Sequence, residues 1–244
     1  MKIGIFDSGM GGITVLKELL KYYPNEEYIY VGDNKNLPYG TKSKEELFIL
    51  SNKIIEFLIK EGVNIIFIAC GTVSSNIYEE LKDKYSTPIF NIIDTTILKL
   101  KKDAVKDVAI LATPATIESH IFKNKLPDIN VKEISCQAFV PLIEGIMDIK
   151  FKKLYIEQYL KYIKKQKIKN IVLGCTHYPL IESDIKDYLG DVNIYNMGTI
   201  LASSIYLKSG NKSLNVYFTD NNKNLNDKVN LILGDNIKTK QIDL

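Results

Sequence analysis

The 244-residue chain contains no arginine and no tryptophan, and only two histidines and three cysteines. Without arginine, an anionic ligand cannot be gripped by a bidentate guanidinium fork. Carboxylates must instead be held by backbone N–H groups, hydroxyls or lysine. Cys70, Cys136 and Cys175 are odd in number and widely spaced. That argues against a disulfide framework and for reduced thiols in a cytoplasmic setting. Long apolar runs are missing too: the longest, such as 65–70, are strand-sized and far short of a bilayer span. The opening Met1-Lys2-Ile3-Gly4-Ile5-Phe6-Asp7 is too short for a signal peptide, and no small-residue cleavage site follows it. Neither sign of charge dominates, with 32 lysines against 29 acidic residues and a net charge of +3. This balance gives no reason to expect nucleic acid or a membrane surface as partner. A content of 45% apolar and 25% charged residues excludes a collagen-like or disordered chain. The length suggests one or two domains.

Short β-rich runs alternate with helical patterns. Strands are expected over 2–6, 28–31, 65–69, 89–93, 108–112, 131–135, 171–174, 193–195 and 216–219. Helices are expected over 13–22, from the capping-box spacing of Ser43-Lys44-Glu45-Glu46 to about Glu61, over 73–85, after Pro114, up to about Gln166, after Pro179 and over 222–231. Such alternation means βαβ units and a mainly parallel α/β architecture. The Asn- and Lys-rich stretch 220–228 reads as a solvated loop and helix face.

The chain also repeats itself weakly. Ile3 to Val108, Cys70 to Cys175 and Ile89 to Ile194 are each 105 positions apart, and the residues around each pair match in character. One such match is cheap. Three ungapped matches at one offset, one of them pairing two of three cysteines, point to two similar open α/β halves related by a pseudo-two-fold axis. Two units of 105 leave residues 211–244 as a surplus too small to fold alone.

Polar and glycine-rich motifs follow the strands: Asp7-Ser8-Gly9, Gly32-Asp33, Cys70-Gly71-Thr72, Thr113-Pro114-Ala115-Thr116 and Cys175-Thr176-His177. In open α/β sheets, ligands bind beyond the carboxyl ends of the strands. These motifs should therefore converge on one cleft between the halves. A lone buried cysteine is usually structural, and Cys136, which has no twin, is read that way. Cys70 and Cys175 sit at equivalent strand ends beside the hydroxyls of Thr72 and Thr176. A helix N-terminus at each turn should lower the thiol pKa. Two symmetric thiols suit inversion at a carbon acid: one thiolate removes an α-proton, and a thiol on the other face returns one. His177 is either a partner for Cys175 or a packing histidine. Asp7 either caps the glycine loop or assists near Cys70. Glu144 stands evenly between catalytic and structural roles, and His120 is read as structural or exposed. Gly9-Met10-Gly11-Gly12 has the look of an anion-cradling loop suited to a small carboxylate. Asp7 beside it disfavours a dinucleotide. Pro38-Tyr39-Gly40-Thr41 is either a plain turn or a carboxylate-binding loop. A zinc site from Cys70, Cys175 and His177 lacks usual spacing and a fourth ligand. No cofactor is expected.

Phe6-Asp7-Ser8-Gly9-Met10-Gly11-Gly12, Pro38-Tyr39-Gly40-Thr41, Ala69-Cys70-Gly71-Thr72, Phe139-Val140-Pro141-Leu142-Ile143-Glu144 and Gly174-Cys175-Thr176-His177-Tyr178-Pro179-Leu180 resemble, in order, the signatures of the glutamate racemases. The resemblance spans nearly the whole chain. It implies a cofactor-independent enzyme making D-glutamate for bacterial peptidoglycan, two α/β domains with the cleft between them, and a homodimer. It also implies that the tail returns to the first lobe, giving domains of 1–94 plus 208–244 and of 95–207. By motif match, Cys70 and Cys175 are the acid/base thiols, Asp7 and His177 their assistants, and Glu144 a further acidic neighbour. Ser8, Pro38, Tyr39, Gly40, Thr41, Gly71, Thr72, Thr113, Thr116 and Thr176 become substrate-binding positions. One departure is plain: Gly71 stands where the family usually has asparagine, so a water or the Gly71 N–H must take over that contact. This leaves as alternatives an aspartate or broad-specificity racemase, or a non-catalytic amino-acid-binding relative.

Overall fold

The computed structural model describes residues 1–207, 211–221, 223–234 and 236–244. Among the described residues, ten strands run in chain order: β1 (Lys2–Asp7), β2 (Glu27–Gly32), β3 (Ile65–Ile68), β4 (Ile89–Asn91), β5 (Asp107–Ala112), β6 (Asn130–Ser135), β7 (Asn170–Leu173), β8 (Asn193–Asn196), β9 (Ser213–Phe218) and β10 (Thr239–Gln241). They form two sheets, ordered β10-β9-β2-β1-β3-β4 and β6-β5-β7-β8. Every pairing is parallel. Apart from polar end residues, β1, β3, β5 and β7 are continuous apolar runs because helices cover both faces of a parallel sheet.

The repeat is visible strand by strand. β2-β1-β3-β4 has the same order as β6-β5-β7-β8. The offset of 105 carries Lys2–Asp7 onto Asp107–Ala112 and Ile65–Ile68 onto Asn170–Leu173 at both ends. It even carries a helix cap. Asn91 Oδ1 accepts from the N–H groups of Ile93 and Asp94, and Asn196 Oδ1 accepts from those of Gly198 and Thr199. The helices they open, Ile92–Lys102 and Met197–Ser204, pack together between the sheets with helix Ile13–Tyr22. One core spans both halves, joining Ile3, Ile5 and Leu16 to Val108, Ile110, Val172 and Leu201. A separate cluster covers the outer face of each sheet.

Several expectations shift. The strand expected over 89–93 ends at Asn91, which caps a helix that the apolar Ile92-Ile93 pair hid. The helix expected over 73–85 breaks at Ile77 into Gly71–Asn76 and Tyr78–Lys82. There the Ser75 hydroxyl and the Asn76 amide donate to the Thr72 carbonyl, competing with the backbone ladder. The capping box forms as expected, with Glu46 N–H on Ser43 Oγ and Ser43 N–H on Glu46 Oε2. It opens helix Lys44–Lys60. His120 lies between two short helices, Pro114–Glu118 and Ile121–Lys125, at φ 51°. Its exposed ring is 2.9 Å from Glu133. The tail adds β9 beside β2 and β10 beside β9, and helix Lys223–Leu233 places Leu225, Val229 and Ile232 in the shared core. The boundary expected at Lys208, and the start of the helix expected at Asn222, lie outside the described residues. The other expected boundary, after Asp94, falls inside helix Ile92–Lys102.

Candidate active site

A cavity of about 550 Å³ opens beyond the carboxyl ends of β1, β3, β5 and β7, within the size range of small-molecule sites. The end of β1 and the residue after it supply Asp7 and Ser8, the junction of β3 with its helix supplies Cys70, Gly71 and Thr72, and the turn after β5 supplies Thr113. The turn after β7 supplies Cys175, Thr176 and His177, and the connection from β6 to β7 supplies Glu144. Pro38, Tyr39, Gly40 and Thr41 close one side. Cys70 and Cys175 thus come from different sheets, and all three cysteines are free thiols. Cys136 is buried away from the cavity wall, and its carbonyl accepts from the Tyr178 hydroxyl at 3.0 Å.

Two expected positions differ in their role. Thr116 does not line the cavity. It is buried behind Thr113, with the two hydroxyls 3.2 Å apart, and steadies that side chain. The Tyr39 hydroxyl is committed to Asp33 Oδ2 at 2.6 Å, so this residue offers the cavity its ring and backbone. Gln137 and Glu118 also line the cavity, outside the motifs that the sequence marks. Gln137 lies just beyond β6, so the strand-end rule applied to Cys136 would have reached it. No described lysine lines the cavity.

On the Cys70 side, Asp7 is fully buried. Its Oδ2 accepts from Gly12 N–H at 2.8 Å and Gly9 N–H at 3.3 Å, while Oδ1 has no partner among the described residues. One oxygen therefore caps the glycine loop. Burial raises the Asp7 carboxyl above its ordinary range, against the opposing pull of His177 and the loop N–H groups. The Cys70 thiol donates to Ser8 Oγ at 3.5 Å. The expected lowering of its pKa does not occur. Burial, then the neighbouring Asp7, push it up to about 12, outweighing the Val73 N–H and Ser8. The six-residue helix that follows is a weak dipole beside those effects.

On the Cys175 side, His177 Nδ1 lies 3.8 Å from Cys175 Sγ, and Nε2 lies 2.7 Å from Glu144 Oε1. Burial opposes an imidazolium here, but the bonds to Cys175 and Glu144 prevail and push His177 up to about 10. Glu144 is partly desolvated, yet the His177 bond and charge, with Lys228 beyond, hold its carboxyl below the ordinary range. His177 should therefore carry protons on both ring nitrogens at pH 8 in ¹⁵N NMR spectra; a neutral ring at that pH would contradict the assignment. A folded value above the ordinary 6.5 means that this linkage stabilises the fold fully below pH 6.5 and fades as pH rises through about 10.

The glycine loop is not an open anion cradle. Gly11 is pressed against the other half of the molecule: a Cβ built there would lie 2.5 Å from both His177 Cε1 and Thr176 Oγ1. Gly71 marks a second close approach, since its Cβ would stand 3.0 Å from the Gly174 carbonyl oxygen. Chemically, the cavity offers two thiols, each beside a group able to take or give a proton, with hydroxyls and turn N–H groups between them. Among the described residues no cluster of three His, Cys, Asp or Glu side chains could hold a metal.

A family model described as Asp/Glu/hydantoin racemase matches residues 10–205. The chain is 39% identical over 247 residues to a glutamate racemase of Aquifex aeolicus, spanning 98% of this chain and 97% of that one. Its structure superposes on the glutamate racemase of Aquifex pyrophilus with a TM-score of 0.85 and 38% identity, over 99% of this chain and 98% of that one. It superposes on the Francisella tularensis glutamate racemase, solved with D-glutamate, with a TM-score of 0.89 and 29% identity, over 99% and 97%.

Proposed function

The chain belongs to the aspartate/glutamate racemase family, and from that premise we propose that it interconverts L- and D-glutamate, supplying the D-enantiomer for bacterial peptidoglycan. The observation that carries this reading is the placement of Cys70 and Cys175 at equivalent ends of twin strands, both on one cavity. One sulfur, as thiolate, takes the α-proton and becomes a thiol. The other thiol gives its proton to the opposite face of the planar carbanion and becomes a thiolate. The proton count is unchanged, and the site is left ready for the other enantiomer. Asp7 serves the Cys70 step and His177, oriented by Glu144, the Cys175 step. Two thiols supply both proton transfers, so the reaction draws on no cofactor.

Both substrate carboxylates meet hydroxyls and N–H groups rather than a guanidinium. Ser8, Thr41, Thr72, Thr113 and Thr176 offer the hydroxyls, Gly40 and Gly71 the backbone, and Thr116 supports Thr113. Sheet membership supports lobes of 1–94 with 208–244 and of 95–207, helix Ile92–Lys102 being shared. A homodimer in the cytoplasm completes the reading. Among the described residues no helix is long and apolar enough to cross a membrane. Incubation with L-glutamate in heavy water, without pyridoxal phosphate, should yield D-glutamate deuterated at the α-carbon. Racemisation of aspartate but not glutamate would move the enzyme to the aspartate branch. Binding of glutamate without any α-exchange would leave only a binding protein.

A further inference from the structure

The tail does more than extend a sheet. Helix Lys223–Leu233 follows β9 of the six-stranded sheet and packs on helix Ile13–Tyr22. From it Lys228 crosses to the other sheet's half, 84 residues away in sequence. Its Nζ donates to the Glu144 carbonyl oxygen at 2.8 Å and stands 3.9 Å from Glu144 Oε2. The other carboxylate oxygen, Oε1, faces His177 Nε2. Glu144 is thus held at three points: its backbone carbonyl and one oxygen by Lys228, its other oxygen by the imidazole. The backbone contact matters because Glu144 ends the short helix Phe139–Ile143 and precedes Gly145 at φ 74°. The turn itself is closed by backbone bonds, from Glu144 N–H to the Val140 carbonyl and from Ile146 and Met147 N–H to the Pro141 carbonyl, and Lys228 adds a side-chain donor that ties the Glu144 carbonyl to the tail. Lys228, Glu144, His177 and Cys175 form one line of contacts running from the tail to a reacting sulfur. Asp7, on the other side, is fixed by the N–H groups of its own loop.

We propose that Lys228 is a positioning residue for the Cys175 half of the reaction, acting through Glu144 and His177, so that docking of the C-terminal tail completes one of the two acid/base units and not the other. This rests on the racemase reading above. The ammonium is partly exposed, so its replacement should leave the fold standing. What is lost is the register of Glu144. The carboxylate swings toward solvent, the imidazole loses its second anchor, and proton transfer at Cys175 becomes the slow step in both directions.

The experiment compares Lys228→Met and Lys228→Arg with the unmodified enzyme, using L- and D-glutamate carrying deuterium at the α-carbon. Loss of one orienting contact predicts about a tenfold fall in kcat/KM in Lys228→Met. The fall must be equal in both directions, because the enantiomers have equal free energy. The deuterium isotope effect should rise for the enantiomer whose α-proton Cys175 removes and fall for the other, and Lys228→Arg should restore both to within about twofold. Unaltered rates, or a uniform loss with isotope effects unchanged, would overturn the proposal. A second readout is independent of turnover: the His177 Nε2–H proton should exchange with solvent faster in Lys228→Met than in the unmodified protein. If the unmodified protein fails to racemise glutamate, the racemase reading falls. Unchanged Nε2–H exchange would then show that the Lys228 link fails as well.

Discussion

Replacing either Cys70 or Cys175 with serine should abolish glutamate racemisation while leaving the fold intact. Both side chains are nearly buried and lie at strand ends, and serine is close to isosteric. What changes is acidity: a hydroxyl neither gives up nor returns a proton on the scale a thiol does. General acid/base groups contribute on the order of 10²- to 10⁴-fold, and each cysteine acts as both base and acid across the two directions. The loss in each variant should therefore be about 10³-fold or more. The two failures should not look alike. A single remaining thiolate can still draw the α-proton from the enantiomer that presents it. By family resemblance that is the D-enantiomer for Cys70 and the L-enantiomer for Cys175. Cys175→Ser should then retain α-proton exchange, or elimination from a substrate with a leaving group, with D-substrates, and Cys70→Ser with L-substrates. Any asymmetry in kcat must be matched in KM, since the Haldane ratio is fixed at unity. Substantial racemisation by either variant would remove the two-base assignment. The same enantiomer preference in both would remove the opposite-face geometry.

Much of this site was legible because its parts lie at strand ends, and strand ends are the best-marked places in an α/β sequence. An apolar run stopping at Cys70 or Cys175 is local information. The matching offset also carried topology, since equal spacing reproduced equal strand order. What stayed hidden depends on contacts made at a distance. Asn91 reads as strand interior until its side chain is seen on the N–H groups of Ile93 and Asp94. The Cys70 pKa runs against the sequence expectation because a helix terminus is visible in sequence, whereas burial beside Asp7 is not. Thr116 belongs to the right motif but points behind Thr113, a matter of one helical turn. Lys228 is one lysine among 32, distinguished only by where the tail docks.

The glycine loop gives the sharpest case, because its composition invited one explanation and its packing supplies another. Gly11→Ala should cost about 10²-fold in kcat, the penalty expected when a catalytic group is displaced by roughly an ångström. The backbone is not the reason, as Gly11 is absent from the glycines at positive φ. The obstacle is the Cβ itself, which would stand 2.5 Å from His177 Cε1 and Thr176 Oγ1. Neither side can yield easily. Thr14 pins the loop, its N–H and hydroxyl donating to the Gly11 carbonyl, and the same hydroxyl reaches the Thr176 carbonyl at 2.8 Å. His177 is held at one nitrogen by Glu144 and at the other by Cys175. Moving the imidazole breaks one of those contacts, and moving the loop breaks a contact that joins the two halves. Overpacking of this kind costs about 1–3 kcal/mol in stability, small enough that the variant should still fold. The expected signature is therefore a modest fall in Tm, a large fall in kcat, and displaced His177 ring signals in ¹⁵N spectra. A Gly11→Ala enzyme with ordinary kcat and unmoved His177 signals would refute the close approach. A Tm collapse without displaced ring signals would assign Gly11 to stability alone. Only the first result would leave the anion-cradle reading of Gly9-Met10-Gly11-Gly12 as the better account of why glycine stands there.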